Sequence, residues 1–144
     1  MSLLLDTNIV SELRRRERMS AEIMRWSENV DLSATVLSAV TIGEIGAGIA
    51  NSNRTNPPFA AALTRWRDQL LVDFDGRIVP YGVGEALLCA RLPSPNGRLT
   101  ADMMIAASAL AHDCVVVTRN DADFLPLGVA IFNPYDVRPS GPRP

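Results

Sequence analysis

The chain contains no lysine: all 14 of its basic residues are arginine. Every mechanism that needs an amine is thereby excluded, including Schiff-base chemistry, the phosphate-loop lysine and lysine-assisted phosphotransfer. Histidine occurs once, at His112 inside a helical pattern; a Ser-His or Cys-His nucleophile would have to be built on it, and there is no Gly-x-Ser-x-Gly elbow, so such a nucleophile is not expected. The two cysteines, Cys89 and Cys114, stand in apolar surroundings without metal-ligand spacing and are expected to be buried free thiols. No apolar run approaches transmembrane length and no signal-peptide pattern opens the sequence, so a cytoplasmic protein with no membrane role is expected. A strong basic excess is also missing; a net charge of −2 argues against a general nucleic-acid coating protein. No internal repeat is visible.

What remains is an ordinary globular composition, 144 residues with 47% hydrophobic and 21% charged, of single-domain size. The organising stretch is Leu3-Leu4-Leu5-Asp6-Thr7-Asn8. A short apolar run bounded by a turn signal reads as a buried parallel strand, and it delivers Asp6 at its carboxyl end, where open α/β sheets place their ligand sites. A helix is expected just beyond Thr7, with Asn8 and Ser11 as cap-type residues and Ile9, Val10 and Leu13 facing inward. Asp6 itself reads equally well as a helix cap or as a site residue.

Further along, Arg14-Arg15-Arg16-Glu17-Arg18 reads first as a solvated helix end and second as a contact for a phosphate backbone. Ser20 caps a helix to about Asn29 with Ile23, Met24 and Trp26 on its apolar side. Residues 31–38 read as a second strand and are followed by a helix from about Val40, with Ser38 or Thr41 as its cap and Ile42, Ile45 and Ile49 as its core stripe. Glu44 borders that stripe. Three glycines in this helix (Gly43, Gly46, Gly48) are tolerable if a backbone or ligand comes close. Residues 51–58 read as a loop. Next come an amphipathic helix over 59–74 with Leu63, Trp66, Leu70 and Leu71 inward, a short strand over 77–80, a helix over 84–92 and a loop over 93–97.

Thr100 is the expected cap of a further helix, which puts Asp102 in its first turn. Asp102, Ile105, Ala106, Ala109 and Leu110 fall at i, i+3, i+4, i+7 and i+8, so the carboxylate shares the buried face of a mostly apolar helix. Residues 114–118 form another apolar strand that ends in Arg119-Asn120-Asp121, repeating the arrangement at Asp6. Asp121 to Phe124 can start a short helix, and 129–132 a last strand.

Strands alternating with helices predict a mostly parallel sheet covered on both faces, a three-layer α/β/α fold. Carboxylates brought together at the strand ends would raise one another's pKa, a conflict that a divalent cation removes. All-oxygen donors select Mg2+ or Mn2+ over Zn2+. Such a site activates water and offsets the charge on a phosphodiester.

Taken in order, several stretches resemble PIN-domain ribonucleases, specifically the VapC-type toxins of bacterial toxin–antitoxin pairs. They are Leu5-Asp6-Thr7-Asn8 with Ser11-Glu12, Ser38-Ala39-Val40-Thr41-Ile42-Gly43-Glu44, Ala101-Asp102 with Ile105-Ala106-Ala107, Val117-Thr118-Arg119-Asn120 with Asp123-Phe124, and Phe132-Asn133-Pro134. The ordered set carries the resemblance; no single stretch does. It implies a PIN-like fold over residues 1–137, followed by a disordered tail over 138–144. It also implies a Mg2+-dependent endoribonuclease, with Mn2+ able to substitute, in which Asp6 and Asp102 are the main metal ligands and Glu44 completes the triad. Asn120 stands at the family's fourth position, where a neutral amide weakens any second metal site, and Asp121 and Asp123 are near it. Thr7, Asn8 and Ser38 would orient carboxylates or water. Arg14, Arg15 and Arg98 are expected phosphate contacts with the RNA. The resemblance further implies a cognate small antitoxin and a homodimer. An apolar surplus at Trp26, Trp66, Phe59 and the helix over 40–50 gives both partnerships physical support.

Two other readings are distinguishable. An Asp after a parallel strand also occurs in phosphotransfer modules, but these need a lysine, and one class needs a second Asp where Asn8 stands. A PIN-fold protein with weak or no catalysis, acting as a binding module, draws support from Asn120.

Overall fold

The computed structural model describes residues 1–136. The expected tail over 138–144 lies outside the described residues. Five strands, β1 Ser2–Leu5, β2 Thr35–Ser38, β3 Ile78–Val79, β4 Cys114–Val117 and β5 Ile131–Phe132, form one sheet in the order β3-β2-β1-β4-β5. Every neighbouring pair is parallel, with Leu4 opposite Val36 on one side and Val116 on the other. Parallel strands need crossovers, and these are supplied by seven helices: α1 Thr7–Arg14, α2 Ala21–Asn29, α3 Ala39–Asn53, α4 Pro57–Asp73, α5 Val83–Cys89, α6 Ala101–Ala111 and α7 Asp121–Phe124.

Alternation along the strands divides the core into two layers. Leu4 and Val116 pack under α5, α6 and α7 with Cys89, Met103, Ile105, Ala106, Cys114 and Phe124. Their neighbours Leu5 and Val117 point to the other face, where Ile9, Val10, Ile23, Ile45 and Leu70 from α1, α2, α3 and α4 meet them. A strand buried on both faces must be apolar throughout, which is why β1 and β4 read as uninterrupted hydrophobic runs. Cys89 and Cys114 are buried free thiols, as their surroundings suggested.

Several boundaries differ from the sequence reading, each for a local reason. Strand β2 begins only at Thr35, because the Asp31 carboxylate accepts from Ser33 N at 3.0 Å and turns Leu32–Ala34 into a 3-10 helix. The polar stretch over 51–58 is mostly helical: α3 runs to Asn53, and α4 starts at Pro57 with Asn56 accepting from Phe59 N. Proline in a helix's first turn forgoes only an N–H that has no helical partner there. The strands expected over 77–80 and 129–132 are two residues each, and the helix over 84–92 is α5, shorter at its end and starting one residue earlier. Met24, Leu71 and Leu110 face outward, at 43%, 41% and 38% exposure. His112 is the C-cap of α6, outside the helix, and pairs with Glu85 at 2.8 Å. At Gly43, Gly46 and Gly48 an added Cβ would meet nothing within 4 Å, so no other part of this chain requires the close approach they permit.

The sheet order also fixes the site. From β1 the chain first builds outward through β2 and β3, then returns to lay β4 against the opposite edge of β1. The carboxyl ends of β1 and β4 therefore flank a topological switch point, where adjacent crossovers diverge and leave a crevice.

Candidate active site

Asp6 sits at that switch point, 3% exposed. It is the N-cap of α1, a role that the sequence reading weighed against a site role; the structure gives it the cap together with a place in an acidic cluster. One carboxylate oxygen accepts from Thr7 N at 2.8 Å, and the other from Asn8 Nδ2 at 2.9 Å and Thr118 Oγ1 at 2.8 Å. The cap is therefore Asp6, one residue ahead of the expected start. Burial pushes its pKa up, the Thr118, Thr7 and Asn8 donors pull it back, and the Glu44 charge pushes it up further.

Glu44 is carried by α3 and is exposed. Its Oε1 lies 2.6 Å from Thr7 Oγ1, which lies 3.0 Å from Thr41 Oγ1. A hydroxyl has one proton and a carboxylate can only accept, so the Thr7 proton points to Glu44 and Thr41 supplies its own to Thr7. Ser38 does not reach the cluster. Its hydroxyl accepts from Val40 N at 3.0 Å and caps α3, fixing the helix on which Glu44 rides.

Asp102 stands in the first turn of α6, half-buried, with Thr100 capping through Met103 N at 3.1 Å. Its pKa is raised to about 6, first by burial and then by the charges of Asp6, Asp123 and Glu44. Those contributions identify the four acids that share one neighbourhood. Asp123 acts on Asp102 through its charge, whereas Asp121 accepts from Asn133 Nδ2 at 3.0 Å. Asn120 is exposed; its backbone N–H donates to Thr118 Oγ1 at 2.9 Å, and its amide has no partner among the described residues.

The arginines separate. Arg98 lines a cavity together with Asp102 and Asp123. Arg14 lies at the far end of α1, roughly 12 Å along the helix from Asp6 at 1.5 Å per residue, with its guanidinium over the Phe59 and Trp66 rings at 5.8 and 5.4 Å. Arg15 and its neighbours line a separate surface cavity with Phe59. Neither Arg14 nor Arg15 is brought to the acidic cluster.

The sequence reading missed Thr118 as a working residue, although it read the strand that carries it. The available signal was a hydroxyl at the last position of an apolar strand, next to the strand that ends in Asp6.

The donor set suits a hard divalent cation: carboxylates and amides, all oxygen, with the proton affinities of Asp6 and Asp102 raised by burial and by neighbouring acids. Among the described residues the ion pairs are Arg67–Asp68 and His112–Glu85, so none of the four acids has a cationic partner. Asn8 Oδ1 is also buried there without a hydrogen-bond donor. No three acidic, histidine or cysteine side chains among the described residues are drawn into a closed ligand set. The carboxylates gather but do not converge on one point.

Comparison with known proteins gives the family. The model of the PIN domain family matches residues 3–128. The chain is 33% identical over 141 residues to Toxin FitB of Neisseria gonorrhoeae, covering 92% of this chain and 98% of that protein. It is 30% identical over 141 residues to VapC ribonuclease Y4jK of Sinorhizobium fredii, covering 93% and 98%. Among solved structures, that of FitAB bound to an IR36 DNA fragment superimposes with a TM-score of 0.81 at 32% identity, over 94% of this chain and 97% of that one.

Proposed function

The chain belongs to the PIN-domain family, and on that premise we propose that it is a divalent-metal-dependent endoribonuclease, the toxin of a toxin–antitoxin pair, built as one domain over residues 1–137. The observation that carries the reading is the cluster of Asp6, Glu44 and Asp102 at the switch point, none of which forms an ion pair among the described residues.

In this reading Asp6, Asp102 and Glu44 hold Mg2+, which Mn2+ replaces. When bound, the ion lowers the pKa of a water and offsets the charge gathering on the phosphodiester. The rest falls to the chain. Thr118 Oγ1, Thr7 N and Asn8 Nδ2 hold the Asp6 carboxylate in one orientation, so its charge is already in place before substrate arrives. The Thr41–Thr7 relay does the same for Glu44. Asp102, with a pKa of about 6, is ionised at neutral pH and becomes protonated below it. Asn120 offers an unengaged amide at the rim to orient water or a phosphate oxygen, and Asp123 adds a fourth carboxylate. Attack by water leaves a 3′-hydroxyl and a 5′-phosphate. Arg98 is the phosphate contact nearest the cluster, whereas Arg14 and Arg15 serve a more distant part of the RNA.

The relative FitB is solved as FitAB bound to an IR36 DNA fragment, which supports a small antitoxin as partner here; a homodimeric toxin is part of the same proposal. No helix among the described residues is long and apolar enough to cross a membrane. The test is cleavage of single-stranded RNA by the purified chain with Mg2+, with EDTA and Asp6→Ala as controls; activity that survives both controls defeats the metal mechanism. The neutral Asn120 and the unconverged carboxylates favour a second reading, a PIN-fold binding module without catalysis. Calorimetric titration with Mn2+ separates the two: no binding, or equal binding by Asp102→Ala, favours the module.

A further inference from the structure

A cavity of about 350 Å3 opens beside Asp102, lined by Asp102, Asp123 and Arg98 and otherwise by residues given no role above. Its floor includes the buried side chains of Met103 and Leu127, and its walls include Pro95 and Pro126. The loop that forms one wall is built: Ser94 Oγ donates to Arg98 O at 2.8 Å, Gly97 N donates to Ser94 O at 3.0 Å, and Gly97 takes a φ of +64° that favours glycine. Asn96 and Arg98 are exposed on this loop, and neither side chain has a partner among the described residues. Asp102 and Asp123 are among its lining residues, so the cavity shares two acids with the acidic cluster.

We infer that this cavity is a nucleotide subsite: it receives one unpaired base of the RNA next to the scissile phosphate. The inference rests on the ribonuclease reading and names where that substrate is gripped. The volume falls in the range of ligand pockets, roughly 300–1,000 Å3, at the end that suits a single nucleotide rather than a folded partner. The apolar floor and proline walls give a flat base surfaces to lie against. The Asn96 amide has both a donor and an acceptor for a base edge. Arg98 supplies the cation that a flanking phosphate needs beside two carboxylates. Single-stranded RNA is read in this way, by splayed bases held against side-chain surfaces.

The test measures binding by the full chain in Ca2+, by fluorescence anisotropy, of a labelled single-stranded oligoribonucleotide in which one abasic position is walked along the strand. Wild type should lose about tenfold in affinity at one position, the size expected for one seated base. In Ala122→Trp, which adds bulk to the cavity wall, that positional dip should vanish. In Arg98→Gln affinity should fall about threefold at every position while the dip remains. Circular dichroism confirms that both variants fold, and Arg98→Gln alone still tests the cation's part if Ala122→Trp does not fold. A flat walk for wild type that still cleaves RNA overturns the subsite and leaves the ribonuclease reading standing. Wild type that neither binds nor cleaves RNA overturns both. An Ala122→Trp chain that keeps the dip but no longer co-purifies with a partner protein overturns the subsite and reassigns the cavity to that partner.

Discussion

Asp102 is where the metal-free chain is most at odds with itself, and replacing it with Asn measures by how much. Its folded pKa of about 6 lies well above the value of 3.8 expected when unfolded. Between those two values the folded state keeps a proton that the unfolded state has lost, so stability falls as pH rises through that window and stays lower above it. A shift of about two units corresponds to about 3 kcal/mol at 1.36 kcal/mol per unit, and because Asp102 is only half-buried, solvent screening reduces this to about 1 kcal/mol. Asp6, also raised, acts in the same direction.

Asp102→Asn removes this titration. In urea unfolding with EDTA, the variant should gain about 1 kcal/mol on wild type between pH 4.5 and 7.5, equivalent to about 3 °C in Tm. Adding Mg2+ at ten times its Kd should restore wild type at pH 7.5 by about 1.4 kcal/mol, and should do much less at pH 4.5 or for the variant. A wild-type-minus-variant difference that is flat across this range, or that rises with pH, would refute the reasoning.

Thr118→Val keeps the shape of a wholly buried side chain but removes the donor to Asp6 Oδ2 and the acceptor for Asn120 N; it should cost about 1–2 kcal/mol in urea unfolding and weaken Mn2+ binding about tenfold by calorimetry. Asp6→Ala should lower RNA cleavage at least about a hundredfold in a gel assay and also cost about 1 kcal/mol of stability, since it removes the α1 cap; Asp6→Asn should lose the cleavage while retaining more of the stability. Arg77→Ala severs guanidinium bonds to Leu32 O, Thr35 O and Asp73 O and a stacking contact 4.3 Å from the Phe74 ring, so it should destabilise by about 1–3 kcal/mol and leave the metal affinity of the folded protein unchanged. Co-expression with the neighbouring small open reading frame should relieve toxicity and yield a co-purifying complex, and light scattering on the isolated chain should give twice the monomer mass; a harmless monomer would count against the toxin reading.

The parts of this fold that could be read from sequence are those whose cause is local. Leu3-Leu4-Leu5 and Cys114 to Val117 are apolar because both sheet faces cover them, and that requirement shows as an unbroken run. Asp102 was placed by a cap and a 3.6-residue period; the cap holds in α6, whereas the period holds only in part, since Ile105, Ala106 and Ala109 are buried but Leu110 is exposed and Met103, Ala107 and Ser108 are buried as well. The misses arise where two local signals compete or where the cause is distant. Asp31 precedes a β-branched stretch, yet its side chain closes a turn on Ser33 first and delays the strand. Leu71 and Met24 fit an apolar stripe, but periodicity does not say how wide a stripe its neighbours will cover. The Thr118 bond to Asp6 spans 112 residues, and which of Asp121 and Asp123 faces the cluster depends on Asn133, which holds Asp121 aside. No window of sequence contains these causes.

The same geometry divides the site into a fixed part and an adjustable part. Asp6 is buried, and donors from its own helix and from the end of β4 determine its orientation. Glu44 is exposed and held by one hydroxyl, and Asp102 is half-buried with no hydrogen bond among the described residues. Two carboxylates held by hydrogen bonds and one held by none need not converge on a single point, and the charges of Asp6, Asp123 and Glu44 act on Asp102 without forming a closed ligand set among the described residues. The electrostatic cost of holding them together is therefore carried by the metal-free chain and relieved by whatever positive charge arrives. A divalent ion relieves it and enables the chemistry; a guanidinium from a partner would relieve it equally and leave no place for the ion. If the proposed function holds, activity and restraint would act on the same three side chains.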